Sequence, residues 1–179
     1  MAKVSTAIVG KNIKSIRESI GLSQKDFSIL VGVSRASLIK IEAGSTGYRL
    51  NLLDGIIDFT KFNLSELSKM NFSLPDNYRD KLIRVYEEDV TVGVILNQQP
   101  TLVYCIKYSL LNSQFLKEPK EIRQITKFFA DKGWVFSGNS IQIALKRMTD
   151  IIVIKKHESK GNTNTYSKFW YVYLNERIL

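Results

Sequence analysis

The stretch LSQKDFSILVGVSRASLIKIEAG, residues 22–44, sets two short helical patterns on either side of Gly32. Ser23 stands where a helix is capped, and Asp26 falls in the first turn, where a carboxylate offsets the positive helix end. That helix is predicted from about Gln24 to Val31, and Gly32 can take the left-handed conformation that ends a helix and reverses the chain. Ser34 is placed to cap the next helix, about Arg35 to Ala43, with Gly44 closing it. Leu22, Phe27, Leu30, Val31, Val33, Leu38 and Ile41 then share one inward face across the bend, and small Ser28 lets the two helices approach. Gln24, Lys25, Arg35, Ala36, Ile39 and Lys40 are left facing outward.

Working outward, Val9, Ile13, Ile16 and Ile20 recur at helical spacing among Lys11, Lys14, Arg17 and Glu18, which predicts a first amphipathic helix ending at Gly21. Leu53, Ile56, Ile57 and Phe62 mark a fourth helix over 50–62, and a short fifth runs from Leu64 to Met70. A short helix whose exposed face is Arg, Ala, Ser, Lys and Ile, held by a glycine turn, can fit a groove about 12 Å wide.

Composition agrees with a polyanionic partner. Of 179 residues, 44% are hydrophobic and 24% charged, which suffices for a buried core, and the net charge is +9. The positive charge lies in two blocks: residues 1–72 carry ten Lys/Arg against six Asp/Glu, and residues 100–179 thirteen against six. The segment between them carries three against five. One cysteine, Cys105, and one histidine, His157, allow no intrachain disulfide and do not supply the ligands of a structural zinc site. Neither a signal-length apolar run nor a stretch of membrane-spanning length is found, so a soluble, cytoplasmic protein without metal or cofactor is expected.

Residues 8–68 resemble the Cro and phage-repressor (XRE) type helix-turn-helix transcriptional regulators. The likeness rests on Arg17 followed by GLSQ at 21–24, the GVS turn at 32–34, and a helix ending in Glu42 and, two residues on, Gly44. Ser28 stands where that family usually has alanine, and apolar Ile39 on the recognition helix is a second departure, suited to a thymine methyl or a partner protein. The resemblance implies double-stranded DNA as partner, with Ser23 and Gln24 at a phosphate and Ser34, Arg35, Ala36 and Lys40 over base edges and the adjacent backbone. Ala36 and Ser37 would sense a thymine methyl or a nearby phosphate, while the loop Ser45, Thr46, Gly47, Tyr48 and Arg49 would follow the sugar-phosphate backbone. It also implies a partly buried ion pair between Arg17 and Glu42.

Pro75 and Asp76 mark a boundary, and residues 77–88 are expected to be helical. VTVGVIL at 90–96 is ambiguous between strand and helix. Residues 73–100 are read as a connecting segment that can hold a dimer contact. Beyond it, helices are expected over Leu102–Leu111, from Pro119 to Lys132, and from about Ser137 through Met148. Two β-rich runs, IIVIKKHE and TYSKFWYVYL, read as a hairpin with Gly161 and Asn162 in its turn. Three helices followed by a β-hairpin resemble a winged-helix domain over 101–175. That likeness implies a second DNA-binding surface, with Asn139, Gln142, Lys146 and Arg147 on the third helix and Lys155, Lys156, Lys160 and Asn162 to Asn164 on the wing.

The expected fold is therefore mainly α. A five-helix lambda-repressor-like helix-turn-helix domain would span 1–72, a connector 73–100, and a winged-helix-like domain of three helices and a β-hairpin 101–179. No phosphate loop, nucleophile set or acid-base pair is present, so an enzyme is not expected. The expected function is sequence-specific transcription regulation, by a repressor that binds a palindromic operator as a homodimer. The alternative is an antitoxin or mobile-element regulator whose C-terminal domain binds a partner protein.

Overall fold

The computed structural model describes residues 6–44 and 50–169. The chain divides into two compact units, Met1–Thr101 and Leu102–Leu179. It is mainly helical, with a small three-stranded antiparallel sheet in the second unit.

The first unit begins with α1 (Thr6–Ser19), α2 (Gln24–Leu30) and α3 (Arg35–Ala43). Val9, Ile13, Ile16 and Ile20 of the first pattern meet Phe27, Leu38 and Ile41 in one core with no exposure to solvent. Side chains of this size contribute about 1.5–3 kcal/mol each when fully buried. α1 and α3 lie so close that a Cβ at Gly10 would fall on the carbonyl oxygen of Ile41. The predicted fourth helix is shorter and in two parts: a 3-10 turn over Leu50–Leu52 precedes α4 (Asp54–Thr60). α5 (Leu64–Leu67) follows, opened by a reciprocal cap in which the Glu66 N–H donates to Asn63 Oδ1 at 2.9 Å and the Asn63 N–H to Glu66 Oε2 at 2.8 Å. Asn12, buried on α1, donates through Nδ2 to the carbonyls of Leu67 and Lys69, both at 2.9 Å, and so ties α5 to α1.

Residues 73–100, expected as a connecting segment, supply α6 (Tyr78–Val85) and α7 (Val90–Leu96) to this same core. The ambiguity of VTVGVIL is resolved by Asp89, whose carboxylate accepts from the Val92 N–H at 3.0 Å and caps a helix that buries Val92 and Leu96 one turn apart. Tyr78 donates its hydroxyl to the Thr60 carbonyl at 2.6 Å, and Tyr86 stacks on Phe59 with ring centroids 5.3 Å apart. The buried Arg79 guanidinium donates to the carbonyls of Ile20, Leu96 and Gln98, gathering the ends of α1 and α7.

In the second unit, the expected Leu102–Leu111 helix is a turn of α-helix, α8 (Leu102–Tyr104), that widens into a π-helix over Cys105–Leu110. Cys105 is a buried thiol. The expectation that Pro119 opens the next helix is corrected. Lys120–Glu121 form a short strand, β1, paired with Tyr166 and Thr165, and α9 runs Ile122–Ala130. The Glu121 N–H donates to Gln124 Oε1 at 2.8 Å, which places the helix start after Glu121. α10 (Gly138–Lys146) is capped by Ser137, whose Oγ accepts from the Ser140 N–H at 3.1 Å.

β2 (Ile152–His157) and β3 (Lys160–Lys168) form the hairpin, and the sheet order is β1-β3-β2. Its turn is Glu158–Ser159, not Gly161 and Asn162, which lie in β3. The Ser159 N–H donates to His157 Nδ1 at 3.2 Å, so the imidazole closes the turn three residues earlier than the glycine signal suggests. Cys105, Ile106, Leu110, Ile125, Phe129, Ile141, Leu145 and Tyr166 make the core, with Phe129 ringed by Phe128, Trp134 and Phe136.

Candidate nucleic-acid interface

The α2–turn–α3 element is held at both ends of each helix. Ser23 Oγ accepts from the Asp26 N–H at 3.1 Å and donates to the Asp26 carboxylate at 2.6 Å, which starts α2. Gly32 then takes φ +64°, a conformation costly for any residue with a Cβ, and the Val33 N–H returns to the Ser28 carbonyl at 3.1 Å. Ser34 repeats the cap on α3, accepting from the Ser37 N–H at 3.1 Å. Leu22, Phe27, Val31, Val33, Leu38 and Ile41 are buried and Leu30 packs against them, so the inward face read from the sequence is the inward face of the fold.

Beneath α3 lies the ion pair. Arg17 Nε donates to Glu42 Oε1 at 2.6 Å and Nη2 to Oε2 at 2.9 Å, while Nη1 donates to the Leu22 carbonyl at 3.0 Å. The side chains are only 10% and 4% exposed, so this two-pronged pair is desolvated as well as charged. It locks the C-terminal end of α3 to α1 and to Leu22, just before the α2 cap. Gln24 joins it, donating Nε2 to Glu42 Oε2 at 2.9 Å. The outward position expected for Gln24 is thereby corrected: its half-buried amide turns to the inside of the motif, because buried Glu42 has an oxygen within its reach.

The outer side of α3 presents Arg35, Ala36, Ile39, Lys40 and Ala43 to solvent, with Ser34 exposed before them and Ser37 half-buried. Neither the Arg35 guanidinium nor the Lys40 ammonium is tied to another side chain among the described residues. Ser45, Thr46, Tyr48 and Arg49 lie outside the described residues.

On the second unit, Asn139, Lys146 and Arg147 are exposed on and just after α10, and Gln142 is half-buried. Lys155 and Lys156 of β2 line a pocket of about 280 Å³ with Pro119, His157, Glu158 and Thr165. Lys160 is engaged: its ammonium donates to the Glu121 carboxylate, which His157 Nε2 also approaches at 3.4 Å. Lys160 holds the Glu121 carboxyl below its usual range. No cluster of potential metal ligands occurs among the described residues, and no helix among them is long and apolar enough to cross a membrane.

Two buried polar residues that tie the helices of the first unit together have little or no signal in the sequence. Asn12 sits on the apolar face of α1 between Val9 and Ile13, a placement that marks a buried polar contact in retrospect. Arg79 has no such signal, because its three acceptors are backbone carbonyls far away in the chain.

Two capped helices, a left-handed glycine between them and an ion pair behind the second define a helix-turn-helix. Residues 13–67 match the family model described as Helix-turn-helix, a family of DNA-binding regulators. Over 58 residues the chain is 43% identical to antitoxin PezA of Streptococcus pneumoniae serotype 4, strain ATCC BAA-334 / TIGR4; the match covers 32% of this chain. It spans about a third of that relative, 35% of its length. No solved structure matches the chain.

Proposed function

We propose that this chain is a sequence-specific DNA-binding transcriptional regulator, a repressor that binds a palindromic operator as a homodimer. The observation that carries the reading is the outer face of α3, basic and short, exposed among the described residues and held from behind by Arg17 and Glu42. Arg35 presents a fork suited to guanine O6 and N7, an interaction worth about 1–3 kcal/mol of discrimination. Lys40 and Ser37 reach the adjacent bases and phosphates, Ala36 faces a thymine methyl, and Ser23 and the backbone N–H of Gln24 stand at a phosphate where α2 begins. Ser34 lies over the first base edge, and Ser45, Thr46, Tyr48 and Arg49 follow the backbone. Two copies on a palindrome place their α3 helices about 34 Å apart, one turn of the duplex.

A winged-helix reading of the second unit is supported by its order of helix, short strand, two helices and hairpin. On that reading Asn139, Gln142, Lys146, Arg147, Lys155, Lys156 and Lys160 form a second DNA surface. The alternative role for this unit is the grip on a partner protein, a reading that the likeness of part of the chain to an antitoxin supports in part.

The test is selection of duplexes from a random library by the full chain, followed by Arg35→Ala/Lys40→Ala. The expected result is a symmetric site for the wild type and loss of site preference in the variant, with unchanged far-ultraviolet circular dichroism. Unaltered sequence selection in that variant refutes the assignment of α3. For the second unit, Lys146→Ala/Arg147→Ala/Lys156→Ala should flatten the dependence of log affinity on log salt by about 0.9 for each phosphate that is no longer neutralised. An unchanged slope leaves this unit to a protein partner.

A further inference from the structure

The hairpin of the second unit breaks the alternation of its own strand. In a regular strand successive side chains point to opposite faces, so four residues in succession do not line one pocket. Lys155, Lys156, His157 and Glu158 are consecutive, and all four line the pocket of about 280 Å³ whose other walls are Pro119 and Thr165. The cause is an irregularity between Lys156 and His157: Lys156 pairs with Asn164 but His157 with Lys160, so Gly161 to Thr163 are passed over in the register. Bulges of this kind re-aim side chains and recur beside functional sites. The walls are held by satisfied polar groups. Thr165, flanked in one row of the sheet by Glu121 and Lys155, donates Oγ1 to the Lys155 carbonyl at 3.3 Å. His157 is engaged at both nitrogens, by the Ser159 N–H at Nδ1 and by the Glu121 carboxylate 3.4 Å from Nε2, and Lys160 donates to that same carboxylate. Lys155 and Lys156 are exposed, and Lys156 has no ion-pair partner among the described residues.

Charge and size select what this pocket takes. Two ammoniums line it against one carboxylate, Glu158, so the ligand is an anion. Ligand pockets run from about 300 to 1,000 Å³, which puts this one at the small end and fits a small molecule. A phosphomonoester carries about −1.5 to −2 charges at pH 7 and three strong acceptor oxygens, a match for two lysines with three donors each. A duplex phosphate carries a single charge and is esterified on both sides, so it does not end inside a pocket. We infer that the bulged end of the hairpin binds a small phosphorylated molecule, its phosphomonoester group between Lys155 and Lys156 and a hydroxyl or amino group of it on Glu158. The hairpin is then a sensor as well as a surface, because the bound dianion cancels the charge that these lysines otherwise offer to a polyanion. This site does not depend on whether α3 reads DNA.

The experiment titrates the full chain with inorganic phosphate, glycerol phosphate, dimethyl phosphate and succinate at constant ionic strength in chloride, by calorimetry and by the tryptophan fluorescence melt. Inorganic phosphate and glycerol phosphate should each fill one saturable site per chain, glycerol phosphate more tightly, and should raise the melting temperature of the second unit with the logarithm of concentration. Lys155→Met/Lys156→Met should weaken both by about tenfold or more, the scale of losing one hydrogen bond to a charged group, and should melt like the wild type without phosphate. Lys146→Met/Arg147→Met removes two charges from the same unit outside the pocket and should bind like the wild type. Equal losses in the two double variants overturn the inference, because net charge then accounts for the binding. Dimethyl phosphate bound as tightly as inorganic phosphate also overturns it and assigns the lysines to a duplex backbone, and tighter binding of succinate replaces the phosphate by a dicarboxylate. Absence of saturable binding by both phosphomonoesters overturns it outright.

Discussion

Replacing Arg17 by methionine removes both prongs of the buried ion pair while keeping most of the apolar stem. Glu42 is then without its donors at 2.6 and 2.9 Å and keeps one, the Gln24 amide at 2.9 Å, and the Leu22 carbonyl is without its guanidinium donor. An exposed pair would contribute about 0–1 kcal/mol. Here the Glu42 side chain is 4% exposed, so its charge is stranded rather than returned to water, and the expected destabilisation is about 3–5 kcal/mol. For a unit near 100 residues each kcal/mol lowers Tm by roughly 4–8 °C, so a drop of at least about 12 °C is expected. Both tryptophans of the sequence, Trp134 and Trp170, fall after residue 101, which lets the two units be followed separately in the full chain. Circular dichroism at 222 nm should show the helices of the first unit melting early, while the tryptophan fluorescence transition stays in place. Arg17→Met/Glu42→Met should be destabilised by less than the sum of the single changes, because neither charge is then stranded. A destabilisation below about 1 kcal/mol for Arg17→Met, or strict additivity in the double variant, would refute the desolvated pair as the brace behind α3.

Two further predictions concern buried hydroxyls. The Tyr166 hydroxyl is buried in the second core without a hydrogen-bond partner among the described residues, so Tyr166→Phe should leave that unit as stable or raise it by about 1 kcal/mol, read from the tryptophan fluorescence melt. Clear destabilisation would mean that the hydroxyl has found a partner. Tyr78 donates to the Thr60 carbonyl, and burial pushes its phenol above the ordinary value of 10.0. A raised folded value stabilises fully below about pH 10 and that contribution disappears as pH rises toward the folded value. Tyr78→Phe should cost about 1 kcal/mol at pH 8 and show a shallower decline between about pH 10 and 11.5, measured by urea unfolding at each pH. Parallel declines would contradict the assignment.

How much of this was legible in the chain differs between its two halves. In the first, each decisive interaction is either local or periodic. The caps at Ser23 and Ser34 bond three residues on, Gly32 takes the one conformation a tight reversal requires, and the inward residues repeat at helical spacing, so the motif can be placed within a residue or two. The ion pair was reachable only through resemblance, since nothing in the spacing of Arg17 and Glu42, 25 residues apart, states that the two meet. In the second half the glycine signal puts the hairpin turn in the wrong place, because glycine is a permissive residue and not an obligatory one. The His157 side chain closes the reversal first, and β1 takes residues that a proline marks for a helix, because Tyr166 and Thr165 offer Lys120 and Glu121 a strand to pair with.

The sequence by itself determined the two capped helices, the glycine between them and which side chains point inward, for these follow from local hydrogen bonding and period. Tertiary structure decided what the other side of α3 means. Burial of Leu38, Ile41 and Glu42 leaves Arg35, Ile39 and Lys40 exposed among the described residues, and only packing places Arg79 where carbonyls from two distant helices converge. The physical reason is common to both cases: a long-range contact is chosen by the desolvation it relieves, and that depends on which surfaces have already come together.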